Sequence, residues 1–138
     1  MTENPSTTTV TAPLWPSFVY RDAPAAIAFL ETAFGFVQRA RYGDGDTVDH
    51  AELAWPGGGG IMLGSVREGM SLKQLPPGTG SVYIVVDNPD ELYARARAAG
   101  ATITGELRDE DYGSRGFTCR DPEGVYWSFG TYGGVGPA

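Results

Sequence analysis

One cysteine and one histidine are all that this chain offers to thiolate or imidazole chemistry. A lone Cys119 excludes an internal disulfide and a cysteine-rich zinc site. It lies in the apparent strand Phe117-Thr118-Cys119, where the reading is a buried, inert thiol. Long apolar runs are missing too, and nothing approaches the ~20 residues that a membrane span needs. Cations are scarce. Ten Lys+Arg against 17 Asp+Glu give a net charge of -7, which argues against nucleic acid, because a phosphate backbone calls for a basic footprint. The opening "MTENPSTTTVTAP" has neither a basic segment nor an apolar one, so it does not read as a secretory leader. The simplest expectation is a cytoplasmic protein, and the acidic balance leaves room for a neutral or cationic small molecule as its partner.

What is present reads as one globular domain. At 138 residues, 41% hydrophobic and 20% charged, the chain has enough apolar content to bury a core. Its Thr/Ser/Pro-rich start, residues 1–13, and its ending, residues 133–138, read as loose tails.

Between the tails the chain repeats itself. "SFVYRDAPAAIAFLETAFGF" is an apolar strand, an Asp, then an amphipathic helix ending at Gly35. "SVYIVVDNPDELYARARAAGA" has the same order and ends its helix at Gly100. Thirteen residues separate Asp22 from Gly35, and thirteen separate Asp87 from Gly100. A Pro in the first turn and a Gly after the last turn suit an N-cap and a C-terminal stop. An irregular polar stretch follows each helix. Two strands around a Pro/Gly turn then close each half: "HAELAWPGGGGIMLGS" and "GFTCRDPEGVYWSFGT". Setting Pro56 on Pro122 places Ile61 on Trp127 and Met62 on Ser128. The fold class is therefore α+β: two tandem βαβββ modules, residues 14–66 and 80–132, joined by a linker over 67–79. Neither helix is stable alone. Each is expected on its own sheet, through Ile27, Phe29, Leu30 and Phe34 in one and Leu92, Ala96 and Ala99 in the other. A cleft between the two curved sheets is the expected site.

Paired modules carrying "VYRDAPAAIAFLETAFGF", "HAEL" and "DYGSRGFTCRDPEGVYWSFGTY" resemble the vicinal oxygen chelate superfamily of glyoxalase I, bleomycin resistance proteins and extradiol dioxygenases. The likeness covers about residues 14 to 132 and is nearest to the bacterial glyoxalase/bleomycin-resistance-like branch. It implies a dimer, and in metal-dependent members a divalent ion held by His, Gln or Glu, two from each module. Those positions carry over to Trp15 or Pro16, Met62, Ser81 and Ser128. Two hydroxyls, a thioether and an indole are poor ligands for a hard or borderline divalent cation. The resemblance thus implies a metal-free, cofactor-free binder of an aromatic metabolite or antibiotic, acting by sequestration and so in antibiotic resistance.

Strand alternation sorts the lining. Tyr126 and Ser128 face the cleft while Trp127 and Phe129 pack under a helix. Ser81, Tyr83 and Val85 face it over Val82, Ile84 and Val86. With Trp15 and Met62 they make an aromatic, hydroxyl-bearing surface suited to a flat ligand. Tyr112 and Arg115 stand at its mouth, Arg115 pairing either an anionic ligand group or the local acids Asp109, Glu110 and Asp111. His50 and Glu52 share one strand face and are the candidates for acid–base work in an alternative lyase or isomerase reading. The other reading of His50 is a strand-edge or dimer contact. "PGGGG" at 56–60 joins two strands, so it reads as a hairpin and not a phosphate cradle.

Overall fold

The computed structural model of the chain describes residues 12–68 and 75–134. Of the expected tails and linker, residues 1–11, 69–74 and 135–138 lie outside the described residues. Module one runs β1 (Ser17–Tyr20), α1 (Ala23–Phe34), β2 (Val37–Asp44), β3 (Thr47–Ala54) and β4 (Gly60–Ser65). Module two runs β5 (Ser81–Val85), α2 (Pro89–Ala98), β6 (Thr102–Asp109), β7 (Arg115–Arg120) and β8 (Tyr126–Gly130). Each module forms its own four-stranded sheet, ordered β1-β4-β3-β2 and β5-β8-β7-β6. In each, the first strand runs parallel to the last, and the other pairings are antiparallel. The two tandem βαβββ modules are as expected.

Helix α1 starts where the Asp22 carboxylate accepts from the Ala25 N–H at 3.1 Å, with Pro24 in the first turn. It stops at Gly35, whose φ of 91° is strained for any residue with a Cβ. The Arg95 guanidinium of α2 donates to two carbonyls of the last turn of α1, at 2.9 Å to Thr32 and 3.2 Å to Glu31, the latter shared with the Gly35 N–H. In α2 the expected Asp87 is not the cap. Asn88 is, its side chain accepting from the Glu91 N–H at 3.2 Å. The cap residues then stand 66 positions apart, the same interval that separates Met62 from Ser128 and Ser17 from Tyr83. A uniform interval makes Trp15, not Pro16, the repeat mate of Ser81. The indole of Trp15 lies against the Gly60 backbone, in the same place relative to β4 that Ser81 holds beside Tyr126 of β8.

The polar stretches after the helices are not irregular. They are β2 and β6, outer-edge strands with mostly exposed side chains. Their alternation is masked because little of either strand is apolar.

Each helix lies on its own sheet, and the two helices also pack on each other. Ile27, Leu30 and Phe34 are buried, as is Ala96, while Phe29, Leu92 and Ala99 are packed at the margin. The modules share one aromatic layer. Trp127, fully buried, meets Phe18, Phe34 and Phe36 of module one at 5.4–5.6 Å between ring centres. Phe129 meets Phe34 at 4.9 Å. Both therefore belong to the core.

A polar clasp completes this join. Asp121 is 4% exposed, and one of its carboxylate oxygens accepts from the Tyr20 hydroxyl of module one at 2.5 Å and from the Trp127 indole at 3.1 Å. The other accepts the backbone N–H groups of Glu123, Gly124 and Val125 at 3.0–3.1 Å. Glu123 reaches back to the N–H groups of Arg21 and Asp22, both at 2.7 Å, at the start of α1. The Asp-Pro-Glu-Gly turn is thus more than a hairpin. It fastens module two onto the first strand and helix of module one. Burial, and after it the Asp121 carboxylate, holds the Tyr20 phenol well above its ordinary range, so it stays a donor.

Candidate functional site

The face of each sheet turned away from the helices carries the candidate side chains, in rows set by strand register. In module two one row is Tyr83, Ser128 and Thr118. The Ser128 and Thr118 hydroxyls bond each other at 2.9 Å. The Tyr83 hydroxyl donates to the Tyr132 carbonyl at 2.7 Å. The next row is Ser81, Tyr126, Arg120 and Thr102. Val82, Ile84 and Val86 pack against the core while Ser81, Tyr83 and Val85 are exposed, which is the alternation expected. In module one the rows are Ser17, Met62, Glu52 and Ala40, with Tyr42 beside His50 one step along.

The expected lining does not converge on one cavity. A cavity of about 190 Å³ on the open face of module two is lined by Tyr83, Ser128 and Tyr112, together with Thr118, Glu106 and Arg108. A second, of about 350 Å³, lies where the β3–β4 turn meets β5, among Phe36, Trp55, Ile61, Val82, Tyr83 and Ile84. Trp15, Met62, Ser81, Tyr126 and Arg115 line neither. Trp15 precedes β1, its indole N–H donating to the Ala12 carbonyl at 2.8 Å. Tyr112 packs edge-on to Tyr132.

The second cavity has a structural cause. The same interval of 66 residues puts Ile84 in the place of Phe18, Ile61 in the place of Trp127 and Trp55 in the place of Asp121. One seam between the modules is filled by the Phe18–Trp127 pair and clasped by Asp121. The other has two smaller aliphatics and no carboxylate, so it stays open. Its turn, Trp55 to Gly59, is the expected hairpin, with Gly58 and Gly59 at φ of 123° and 74°.

Arg115 is committed within the chain. Its guanidinium meets both Asp90 oxygens at 2.9 Å and Asp109 at 3.3 Å. Its expected pairing with Asp109 is there, but the stronger partner is Asp90 of α2, which sequence proximity could not show. The bond from Arg115 holds the Asp90 carboxyl below the usual carboxylate range. Arg108 is paired with Glu110 at 2.8 Å. Nothing in the sequence pattern singles out Arg120. Its guanidinium sits 5.9 Å from the centre of the Tyr126 ring, and its buried Nε has no hydrogen-bond partner among the described residues.

His50 and Glu52 are in contact, Nε2 to carboxylate 2.9 Å, with Tyr42 stacked on the imidazole at 6.2 Å. They are half-exposed on the open face. Cys119 is buried, and burial, followed by the nearby Asp121, pushes its thiol up to about 12. It is not a nucleophile at neutral pH.

A divalent ion of the kind used by metal-dependent vicinal oxygen chelate proteins does not fit these residues. Met62 has Ser17 and Glu52 as cross-strand neighbours, and Ser128 has Tyr83 and Thr118. Among the described residues no three His, Cys, Asp or Glu side chains come together. His50 and Glu52 supply two donors, already bonded to each other. Hydroxyls and a thioether do not repay dehydration of such an ion.

Comparison with known proteins bears on the same region. The model of the Glyoxalase/Bleomycin resistance protein/Dioxygenase superfamily matches residues 13–129. The uncharacterized protein Mb0911c of Mycobacterium bovis is 32% identical over 123 residues, covering 85% of this chain and 81% of its own length. The crystal structure of TioX from Micromonospora sp. ML1 superposes with a TM-score of 0.75 at 32% identity, over 86% of this chain and 97% of TioX. A glyoxalase/bleomycin resistance protein/dioxygenase from Nocardioides shares the fold at 24% identity and a TM-score of 0.65, over 97% of this chain and 94% of its own.

Proposed function

Because the chain belongs to the glyoxalase/bleomycin resistance protein/dioxygenase superfamily, we propose that it is a metal-free member of it, a cytoplasmic homodimer that binds a small aromatic metabolite or antibiotic and protects by sequestration. The observation that carries this reading is the open face of module two. Tyr83, Tyr126 and Tyr112 supply aromatic area there, and the Ser128–Thr118 hydroxyl pair supplies orientation beside a cavity of about 190 Å³. That volume is small for a drug-sized ligand. A second copy, laying its module-one face with Met62 and Tyr42 over this one, would enclose more. The place of TioX among the similar structures is consistent with this reading.

The experiment is a thermal-shift screen of aromatic compounds, with metal analysis of protein purified without chelator. A ligand that binds the native state raises the melting point as its concentration passes Kd. At a hundredfold excess over Kd the gain is about 2.7 kcal/mol. Ser128→Leu, which blocks the cavity floor, should abolish the shift. Stoichiometric nickel, zinc, iron or manganese in the purified protein would overturn the reading.

A second reading rests on the His50–Glu52 pair. With Tyr42 stacked above, it is an acid–base couple on an open face and suits a lyase or isomerase of the same superfamily. That reading predicts turnover which His50→Ala or Glu52→Ala abolishes. Turnover unchanged in both variants would remove it.

A further inference from the structure

The arginines of module two are engaged in different ways. Arg108 and Arg115 hold carboxylates, Arg95 holds the carbonyl end of α1, and Arg97 lies over Tyr93 and reaches its hydroxyl. Arg120 is the exception. Among the described residues no carboxylate lies within 4 Å of it, and its Nε is out of water with no acceptor. A partly desolvated guanidinium without an acceptor is costly, since the charge loses water and gains no ion pair. Among the described residues its one side-chain partner is the face of Tyr126, a residue 44% exposed.

Position sharpens the point. Arg120 is on β7 directly across from Tyr126 on β8, and Thr118 and Ser128 form the next row on the same face. Two residues along a strand is roughly 7 Å. A planar ligand in the Ser128 cavity would therefore reach Arg120 with a substituent at its edge. Arg is the residue best matched to a carboxylate, by a planar fork of donors.

We infer that Arg120 is the anion-recognising group of this face, and that the ligand is an aromatic carboxylate, stacked by Tyr126 and held at its acid by the Arg120 guanidinium. The inference rests on the proposed binding function and names its ligand class. It also gives Arg120 the anion-pairing role that Arg115, already bound to Asp90, does not have free.

The test compares 1-naphthoate with its neutral isostere 1-naphthamide by calorimetric titration. Wild-type protein should prefer the carboxylate by about tenfold or more, as expected for one charged hydrogen-bonded contact, and the preference should weaken with salt. Arg120→Met should erase the preference while leaving amide affinity within about twofold, and Arg120→Lys should restore part of it. Arg39→Met on β2, which removes the same charge far from this face in sequence and sheet, should retain the preference. Melting points of the variants, at or above wild type for Arg120→Met, show that the fold is kept. Equal binding of the two probes by wild type, or a preference surviving in Arg120→Met, overturns the role of Arg120 and leaves the binding function standing. Failure of both probes to bind overturns the aromatic-carboxylate assignment, while the binding function is decided by the thermal-shift screen. A wild-type dimer that falls apart in Arg120→Met shows that the acceptor is a carboxylate of a second copy, and overturns the ligand assignment.

Discussion

The Asp121 carboxylate accepts five hydrogen bonds from two modules while almost wholly out of water. A buried charge survives only when its lone pairs are filled in this way. Asp121→Asn keeps the size but turns one acceptor into a donor facing Tyr20 and Trp127. The expected loss is about 2–4 kcal/mol, read from the urea midpoint at unchanged slope. Tyr20→Phe removes one donor and leaves the other four, so it should cost about 1–2 kcal/mol. Equal losses for the two variants would mean that the clasp depends on Tyr20 alone. This residue was half legible. "DPEG" announces a turn, but the partner lies 101 residues away, beyond any local pattern. A clue was present in the repeat, where Asp121 and Glu123 face Trp55 and Gly57 of module one. Acids without a counterpart mark the place where the two halves do different work.

At the scale of the elements, the helices follow local chemistry and the edge strands do not. α1 and α2 have caps, a first-turn proline and a glycine stop or near-stop, each written within a few residues. The one misplacement is the α2 cap, because Asp87 and Asn88 are both good caps and only backbone direction chooses between them. Asn88→Ala should cost about 1 kcal/mol, and Asp87→Ala should change the melting point little. The reverse ranking would return the cap to Asp87. β2 and β6 were obscured for a different reason. An edge strand with mostly exposed side chains has little need of apolar alternation, and its ladder bonds to β3 and β7 leave no mark in composition. Arg115 shows the same limit, since its main partner, Asp90, is placed by the packing of α2 on β7 and not by neighbourhood in sequence.

For the molecule as a whole, the duplicated plan is symmetric and its contents are not. The Phe18–Trp127 seam is full and clasped, and the Ile84–Ile61 seam encloses about 350 Å³. Ile84→Phe copies the occupant of the full seam into the open one. It should stabilise the protein by about 0.5–2 kcal/mol, as cavity filling does, seen as a rise in melting point. A fall would mean that the space is too narrow for the ring and that overpacking outweighs the added contacts. This variant leaves the face of Ser128 and Arg120 untouched, so ligand binding there should persist in it.

Local order and repetition were enough to establish two βαβββ modules, their helices, the parity of β5 and β8, and hence the burial of Trp127 and Phe129. All of these follow from short-range periodicity, caps and turns, which are properties of neighbours in the chain. Three things waited for the tertiary structure: the Asp121 clasp, the division of the expected lining between a face cavity and a seam cavity, and the contrast between a committed Arg115 and an Arg120 whose Nε has no acceptor among the described residues. Each is set by how the modules and helices pack. Contacts between residues far apart in sequence depend on side-chain volume and direction at the join, and no spacing rule along the chain encodes them.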